Sequence, residues 1–144
     1  MATPVTAAPG APARKRLMII DDAALMRVVI SNLIKNDGRF EVVAVCANGK
    51  EALDQLKSAS PDVILVDLEM PVMDGLTFIR NARLKSNARI VVLSSVAGFG
   101  SEKALEARRL GANGVLQKPS GAVSLDLAEK SGKQILDTLV TLTR

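Results

Sequence analysis

At 144 residues, 48% of them hydrophobic but only three aromatic, all Phe, the chain is sized for one domain whose core must be built from Val, Leu, Ile, Ala and Met. With no histidine, serine-histidine-aspartate hydrolysis, cysteine-histidine catalysis and the usual histidine-based zinc sites each lose an essential part, and the chain cannot donate phosphate from a histidine of its own. The formal charge of +4 comes partly from Arg14, Lys15 and Arg16, and without stacking aromatics or a recognition helix no nucleic-acid partner is expected.

The first segment, "MATPVTAAPGAPARKR", lacks the long apolar stretch of a secretory signal, and its prolines oppose an amphipathic targeting helix. Residues 1–13 read as a flexible Ala/Pro-rich tail ahead of one domain over residues 14–144. No window approaches the length of a membrane span, so no membrane partner is expected. Short apolar runs then alternate with segments of helical period. Leu17–Ile20, Phe40–Ala47, Asp62–Asp67, Arg89–Ser95 and Gly114–Gln117 read as strands. Between them Leu25–Lys35, Lys50–Ser58, Leu76–Lys85 and Glu102–Leu110 read as helices, and a last helix runs from about Asp126 to the C-terminus with Ser124 as its N-cap. "NDG" at Asn36–Gly38 and "SP" at Ser60–Pro61 supply stop and turn signals. Cys46, inside the apolar run "FEVVAVCA", reads as a small buried hydrophobe, and a lone cysteine allows no disulfide within the chain, which fits a reducing cytoplasm.

Strands that are apolar nearly throughout, separated by helices, imply a parallel sheet covered on both faces, hence an α/β sandwich of five βα units. Right-handed crossovers restrict the topology, and a common doubly wound order for five strands is 2-1-3-4-5. That order makes the first and third strands neighbours where the chain reverses direction. Asp21 and Asp22 end the first strand and Asp67 the third, so three carboxylates meet at one sheet edge. They repel unless a cation offsets the charge, and a hard divalent ion with oxygen ligands is the natural partner. Ser94 ends the fourth strand with a hydroxyl donor and Lys118 the fifth with an ammonium. Carboxylates, hydroxyl and lysine at successive strand ends suit a phosphoryl group held by an ion and donors. In "VILVDLEMPVMDG" Asp67 would be a nucleophile held by the core and reached from solvent, with Pro71 and Gly75 keeping the loop above it open and Asp74 capping the next helix. Singly, each residue has a bland reading, a helix cap for an Asp, a surface ion pair for Lys118, a strand-end hydroxyl for Ser94. Their joint placement carries the functional one.

With "IIDDA", "LVDLEMPVMDG", "VLSS" and "LQKP" in place, the stretch from Lys15 to Thr143 resembles the receiver domain of two-component response regulators, a flavodoxin-like fold. The resemblance implies Asp67 as phosphoacceptor for a sensor histidine kinase. It implies Asp22, Asp67 and the Glu69 backbone carbonyl as direct ligands of Mg2+ (or Mn2+), and Asp21 as a ligand through water. Ser94 would hold the phosphoryl oxygens and Lys118 would pair with them. "DDAALMR", "LEMPVMDG", "VLSSVAG" and "KPSGAVSLDL" are similar to the regulatory half of the chemotaxis protein-glutamate methylesterase, so the chain is a stand-alone receiver of that lineage or an excised regulatory domain. Without histidine it holds no esterase triad and is expected to turn over nothing beyond its own modification. Ala23 stands where that subfamily commonly has serine. Val115 stands where many receivers carry a switch aromatic, so the inward swing of a tyrosine cannot occur.

Output would instead come from Ser94 drawing the loop Ser95 to Gly100 toward phosphate, with Phe99 or Val115 filling the vacated space. The downstream protein or C-terminal effector domain is expected on the face of helix four, strand five and helix five, at Ala104, Leu105, Arg108, Arg109, Ala112 and Val115. Rival classes are a receiver that binds partners without phosphate or acts as a phosphate sink, a magnesium phosphatase with Glu69 as general acid, and a dinucleotide enzyme. "AGFGSEK" offers Gly98 and Gly100 to the last, but Lys103 takes the third small position and the motif follows the fourth strand instead of the first.

Overall fold

The computed structural model describes residues 14–70, 72–95, 100–118 and 125–143, with the side chains of 125–131 left aside. The expected tail at 1–13, Pro71, Gly98, Phe99 and the Ser124 cap lie outside the described residues. Five strands and five helices alternate among them: β1 (Lys15–Ile20), α1 (Ala24–Asp37), β2 (Phe40–Cys46), α2 (Gly49–Ala59), β3 (Val63–Asp67), α3 (Gly75–Ala82), β4 (Arg89–Ser94), α4 (Glu102–Arg109), β5 (Gly114–Gln117) and α5 (Leu125–Leu142). The strands pair in parallel in the order β2-β1-β3-β4-β5, the doubly wound order expected from the sequence.

Successive strand residues point to opposite faces, and here both faces are covered. Met18, Ile20, Ile64, Val66, Ile90 and Val92 pack with Leu56 of α2, Phe78 and Ile79 of α3 and Ala104 of α4. Leu17, Ile19, Val63, Leu65, Val91 and Leu93 pack with Ile30 and Ile34 of α1 and Ile135 and Leu139 of α5. That two-sided burial is why the inner strands read as unbroken apolar runs. Cys46 is fully buried, and burial pushes its thiol up to about 11, which leaves it an inert hydrophobe at neutral pH.

The expected stop signals act through backbone geometry. Gly38, at φ 82°, ends α1 with its N–H on the Ile34 carbonyl, and Ser60, at φ 46°, ends α2 in the same way on Leu56. Asp74 caps α3 by accepting from the Thr77 N–H. That helix stops at Ala82, short of the expected Lys85, because the chain tightens: the N–H groups of Leu84 and Lys85 turn to the carbonyls three residues back, Asn81 and Ala82. The half-buried Arg83 guanidinium is held across the sheet edge, donating to Gly111 O and Ala88 O at 2.7 Å each and to Asn113 Oδ1 at 3.0 Å. The same Asn113 oxygen accepts from the Ile90 N–H at 2.9 Å, tying α3 to the starts of β4 and β5. Arg83→Met, which keeps the stem and removes the donors, should lower stability by about 2 kcal/mol in urea denaturation followed by circular dichroism.

One expectation needs correction. Of the six residues assigned to a partner face, Ala104, Ala112 and Val115 are buried in the core, whereas Leu105, Arg108 and Arg109 are exposed. Alanine and valine on the inner side of α4 and on β5 meet the sheet before they meet a partner.

Candidate functional site

The first βα turn is built to hold one carboxylate in and leave another out. The Asp21 N–H donates to Cys46 O at 3.1 Å, carrying the β1–β2 pairing past Ile20, and the Asp21 carboxylate accepts from the Ala23 N–H at 2.9 Å. Arg27 reaches back from α1 to the Asp21 carbonyl at 2.7 Å. Asp21 is consequently buried while its neighbour Asp22 is exposed. Asp67, the last residue of β3, is buried, and its Oδ1 accepts from the Glu69 N–H at 3.1 Å.

Lys118 follows β5 directly and is aimed by its own backbone, whose N–H donates to Ser94 O at 2.9 Å. Its ammonium lies 2.9 Å from Asp67 Oδ2 and 3.4 Å from Asp21 Oδ2. Carboxylate oxygens of Asp21, Asp22 and Asp67 all lie within 4.8 Å of one another. Ser94, the last residue of β4 and fully buried, donates its hydroxyl to Glu69 Oε1 at 3.2 Å. The structure therefore brings together all six residues that the sequence singles out, Asp21, Asp22, Asp67, Glu69, Ser94 and Lys118.

The charges are unevenly balanced. Burial pushes the Asp67 carboxyl up to about 7, against the pull of Lys118, and Asp21 adds to the rise. Burial alone would depress Lys118, but its contacts with Asp67 and Asp21 outweigh burial and raise it, so the ammonium stays charged. Asp21 Oδ2 and Asp67 Oδ2 are buried without a hydrogen bond; the ammonium approaches them as an ion-pair partner without the alignment of a donor. Two orphaned anionic oxygens, with a third carboxylate exposed beside them, form an oxygen-only donor set that fits a hard divalent cation.

Two contributions escaped the sequence reading. The Arg27 anchor of the Asp21 carbonyl gave no pattern beyond a basic residue in the first turns of a helix. The Glu69 side chain, given a role only as the general acid of the rival phosphatase, bonds Ser94, 25 residues away in sequence. An acid two residues after Asp67 and a hydroxyl at the end of the next strand were its only signal.

Comparison with known proteins agrees with this geometry. The family model described as the response regulator receiver domain matches residues 17–128. The protein-glutamate methylesterase/protein-glutamine glutaminase of Halalkalibacterium halodurans is 42% identical over 114 residues, covering 79% of this chain and 33% of that protein. The protein of the same description from Methanococcus maripaludis is 41% identical over 125 residues, covering 85% and 34%. The chain thus spans about a third of the length of these curated relatives. Among solved structures, the response regulator domain of Thermotoga maritima CheB superposes with a TM-score of 0.80 at 29% identity, covering 90% of this chain and 96% of that one. A chain from the complex of the P1 domain of CheA3 with CheY6 of R. sphaeroides superposes with a TM-score of 0.75 at 50% identity, covering 91% and 98%. With the parallel 2-1-3-4-5 sheet and the acidic cluster at its switch point, the chain belongs to the response regulator receiver domain family, of the chemotaxis type.

Proposed function

We propose that the chain accepts a phosphoryl group on Asp67 from the phosphohistidine of a sensor kinase and uses it to switch a protein partnership. The observation that carries this reading is the state of Asp67: a buried carboxylate at a strand end, one oxygen held by the Glu69 N–H at 3.1 Å and the other unbonded 2.9 Å from Lys118. The free oxygen attacks phosphorus, the phosphorus–nitrogen bond breaks, and the imidazole leaves with the electron pair and takes up a proton. Water later attacks the same phosphorus, releasing inorganic phosphate and restoring the carboxylate.

Asp22, Asp67 and the Glu69 carbonyl would hold Mg2+ or Mn2+, with Asp21 acting through water. A divalent ion held there would neutralise the charge that gathers on the phosphoryl oxygens. Lys118 offsets the remaining charge, and Ser94 donates its hydroxyl to a phosphoryl oxygen. The cytoplasm is the compartment in which such a switch would meet its kinase. Residues 14–144 are assigned to the receiver and 1–13 to a tail. Exposed Leu105, Arg108 and Arg109 on α4 remain the partner-facing candidates on the α4–β5–α5 side. The likeness to methylesterases favours a second form of the same reading, in which this receiver is the regulatory part of a longer protein of that kind.

Intact-protein mass spectrometry after incubation with acetyl phosphate tests the proposal. One phosphoryl adduct that requires Mg2+ is expected. Absence of an adduct with acetyl phosphate and with a matched kinase would overturn it in favour of a receiver that binds without phosphate. Millimolar Mg2+ alone should raise the thermal midpoint by a few degrees, because an ion that binds only the folded acids stabilises them by mass action.

A further inference from the structure

The hydroxyl that the phosphoacceptor reading gives to the phosphoryl group is already engaged. Ser94 is fully buried, and its Oγ donates to Glu69 Oε1 at 3.2 Å. Glu69 is in turn tied at its backbone, its N–H donating to Asp67 Oδ1 at 3.1 Å, while its side chain is only half-buried and has a route to solvent. One residue thus touches both the acceptor carboxylate and the hydroxyl expected to answer it.

We infer that Glu69 is a latch: its carboxylate holds the Ser94 hydroxyl in the resting state and is expelled when a phosphoryl group forms on Asp67. The inference rests on the phosphoacceptor reading above. A serine hydroxyl has a single proton to donate, so it cannot serve Glu69 and a phosphoryl oxygen together. The phosphoryl group brings about −1.5 to −2 charge, and a carboxylate hydrogen-bonded to the neighbouring Ser94 is repelled by it. Because the Glu69 backbone is anchored, the side chain can rotate outward without moving the strand end. The resting bond is charge-assisted, so it opposes switching by more than an ordinary hydroxyl contact would. Glu69 acts here through Ser94, as a positioning residue.

The test uses beryllofluoride with Mg2+ as a phosphoryl mimic on the full chain, titrated by amide NMR because the protein has neither Trp nor Tyr. Saturable shifts around Asp67 in the wild type are expected; their absence would bring down the phosphoacceptor reading and the latch with it. Given wild-type binding, Glu69→Ala should bind the mimic roughly tenfold more tightly, the scale of one lost charge-assisted hydrogen bond. The Ser94 amide of the mimic-free Glu69→Ala protein should already have moved toward its bound position. Glu69→Gln, which keeps an acceptor and loses the charge, should fall between. In a Ser94→Ala background the gain from removing Glu69 should shrink to the part that charge repulsion supplies. Equal affinity of Glu69→Ala and wild type overturns the latch. So does an undiminished gain in the Ser94→Ala background, which would mean that Glu69 acts by charge repulsion alone.

Discussion

Asp67→Asn will abolish the phosphoryl adduct and at the same time stabilise the metal-free protein at neutral pH. Loss of the adduct follows from the loss of the attacking oxygen's negative charge, since the amide that replaces the carboxylate is a poor nucleophile. The gain in stability follows from burial. The folded-state value of about 7 lies well above the ordinary 3.8, so the ionised carboxylate is less comfortable in the fold than in the unfolded chain. At about 1.4 kcal/mol per pKa unit, the penalty is on the order of 2–4 kcal/mol once Asp67 is ionised. Below the unfolded value of 3.8 the carboxyl is neutral in both states and costs nothing. Between that value and about 7 the unfolded state alone ionises, and stability drains away as pH rises. Asparagine carries no such penalty. The advantage of Asp67→Asn in urea midpoint, read by circular dichroism in EDTA, should therefore be small near pH 4 and full above pH 7. An equal advantage at both ends would rule out ionisation as its source. Mg2+ should narrow the gap at neutral pH by relieving the wild type.

Gly75→Ala should cost about 3 kcal/mol and slow phosphorylation, although the backbone there needs no glycine conformation. A methyl at Gly75 would sit 2.8 Å from the Asp67 carbonyl oxygen and 2.9 Å from the Leu68 Cα, both backbone atoms that cannot rotate away. The Gly75 N–H also donates to Leu68 O at 3.0 Å, locking the start of α3 against the end of β3. Making room means moving the carbonyls that set the Asp67 carboxylate in place, so stability and rate should fall together. Gly38 offers the opposite control. It has φ 82° and nothing within 4 Å of an added Cβ, so Gly38→Ala should cost only the conformational strain, about 1 kcal/mol, and leave the labelling rate unchanged. The sequence reading had Gly75 keeping the loop open; the structure shows a contact that excludes any side chain.

Much of the fold was legible because it is written in local patterns. Apolar runs of strand length, helical spacing between them and stop signals at Gly38 and Ser60 are properties of consecutive residues, and apart from the early end of α3 at Ala82 they acted where expected. The strand order was one common doubly wound order among those that right-handed crossovers allow; the sheet has it, and with it Asp21, Asp22 and Asp67 meet. Residue types at strand ends then pointed to an ion and a phosphoryl group.

What the tertiary structure alone decided are contacts between residues far apart in sequence, which depend on register and burial. Asp21 and Asp22 are identical in sequence chemistry, yet one is buried against Lys118 and the other faces solvent, because the β1–α1 turn is pinned by Arg27 and Ala23. Arg83 carries no signal of its own in the sequence, and only the fold brings the carbonyls of Ala88 and Gly111 within its reach. Ala104, Ala112 and Val115 read as an exposed face and proved to be core, since helical period shows that a face exists without showing which way it turns. The bond from Ser94 to Glu69 exists because β3 and β4 pair with Asp67 opposite Leu93, which sets the next residue of β4 beside the loop that leaves β3. Sequence thus determined the elements and the chemistry available at their ends, through interactions that are local along the chain; the partner of each charged or hydroxyl group was decided by packing, which acts across space.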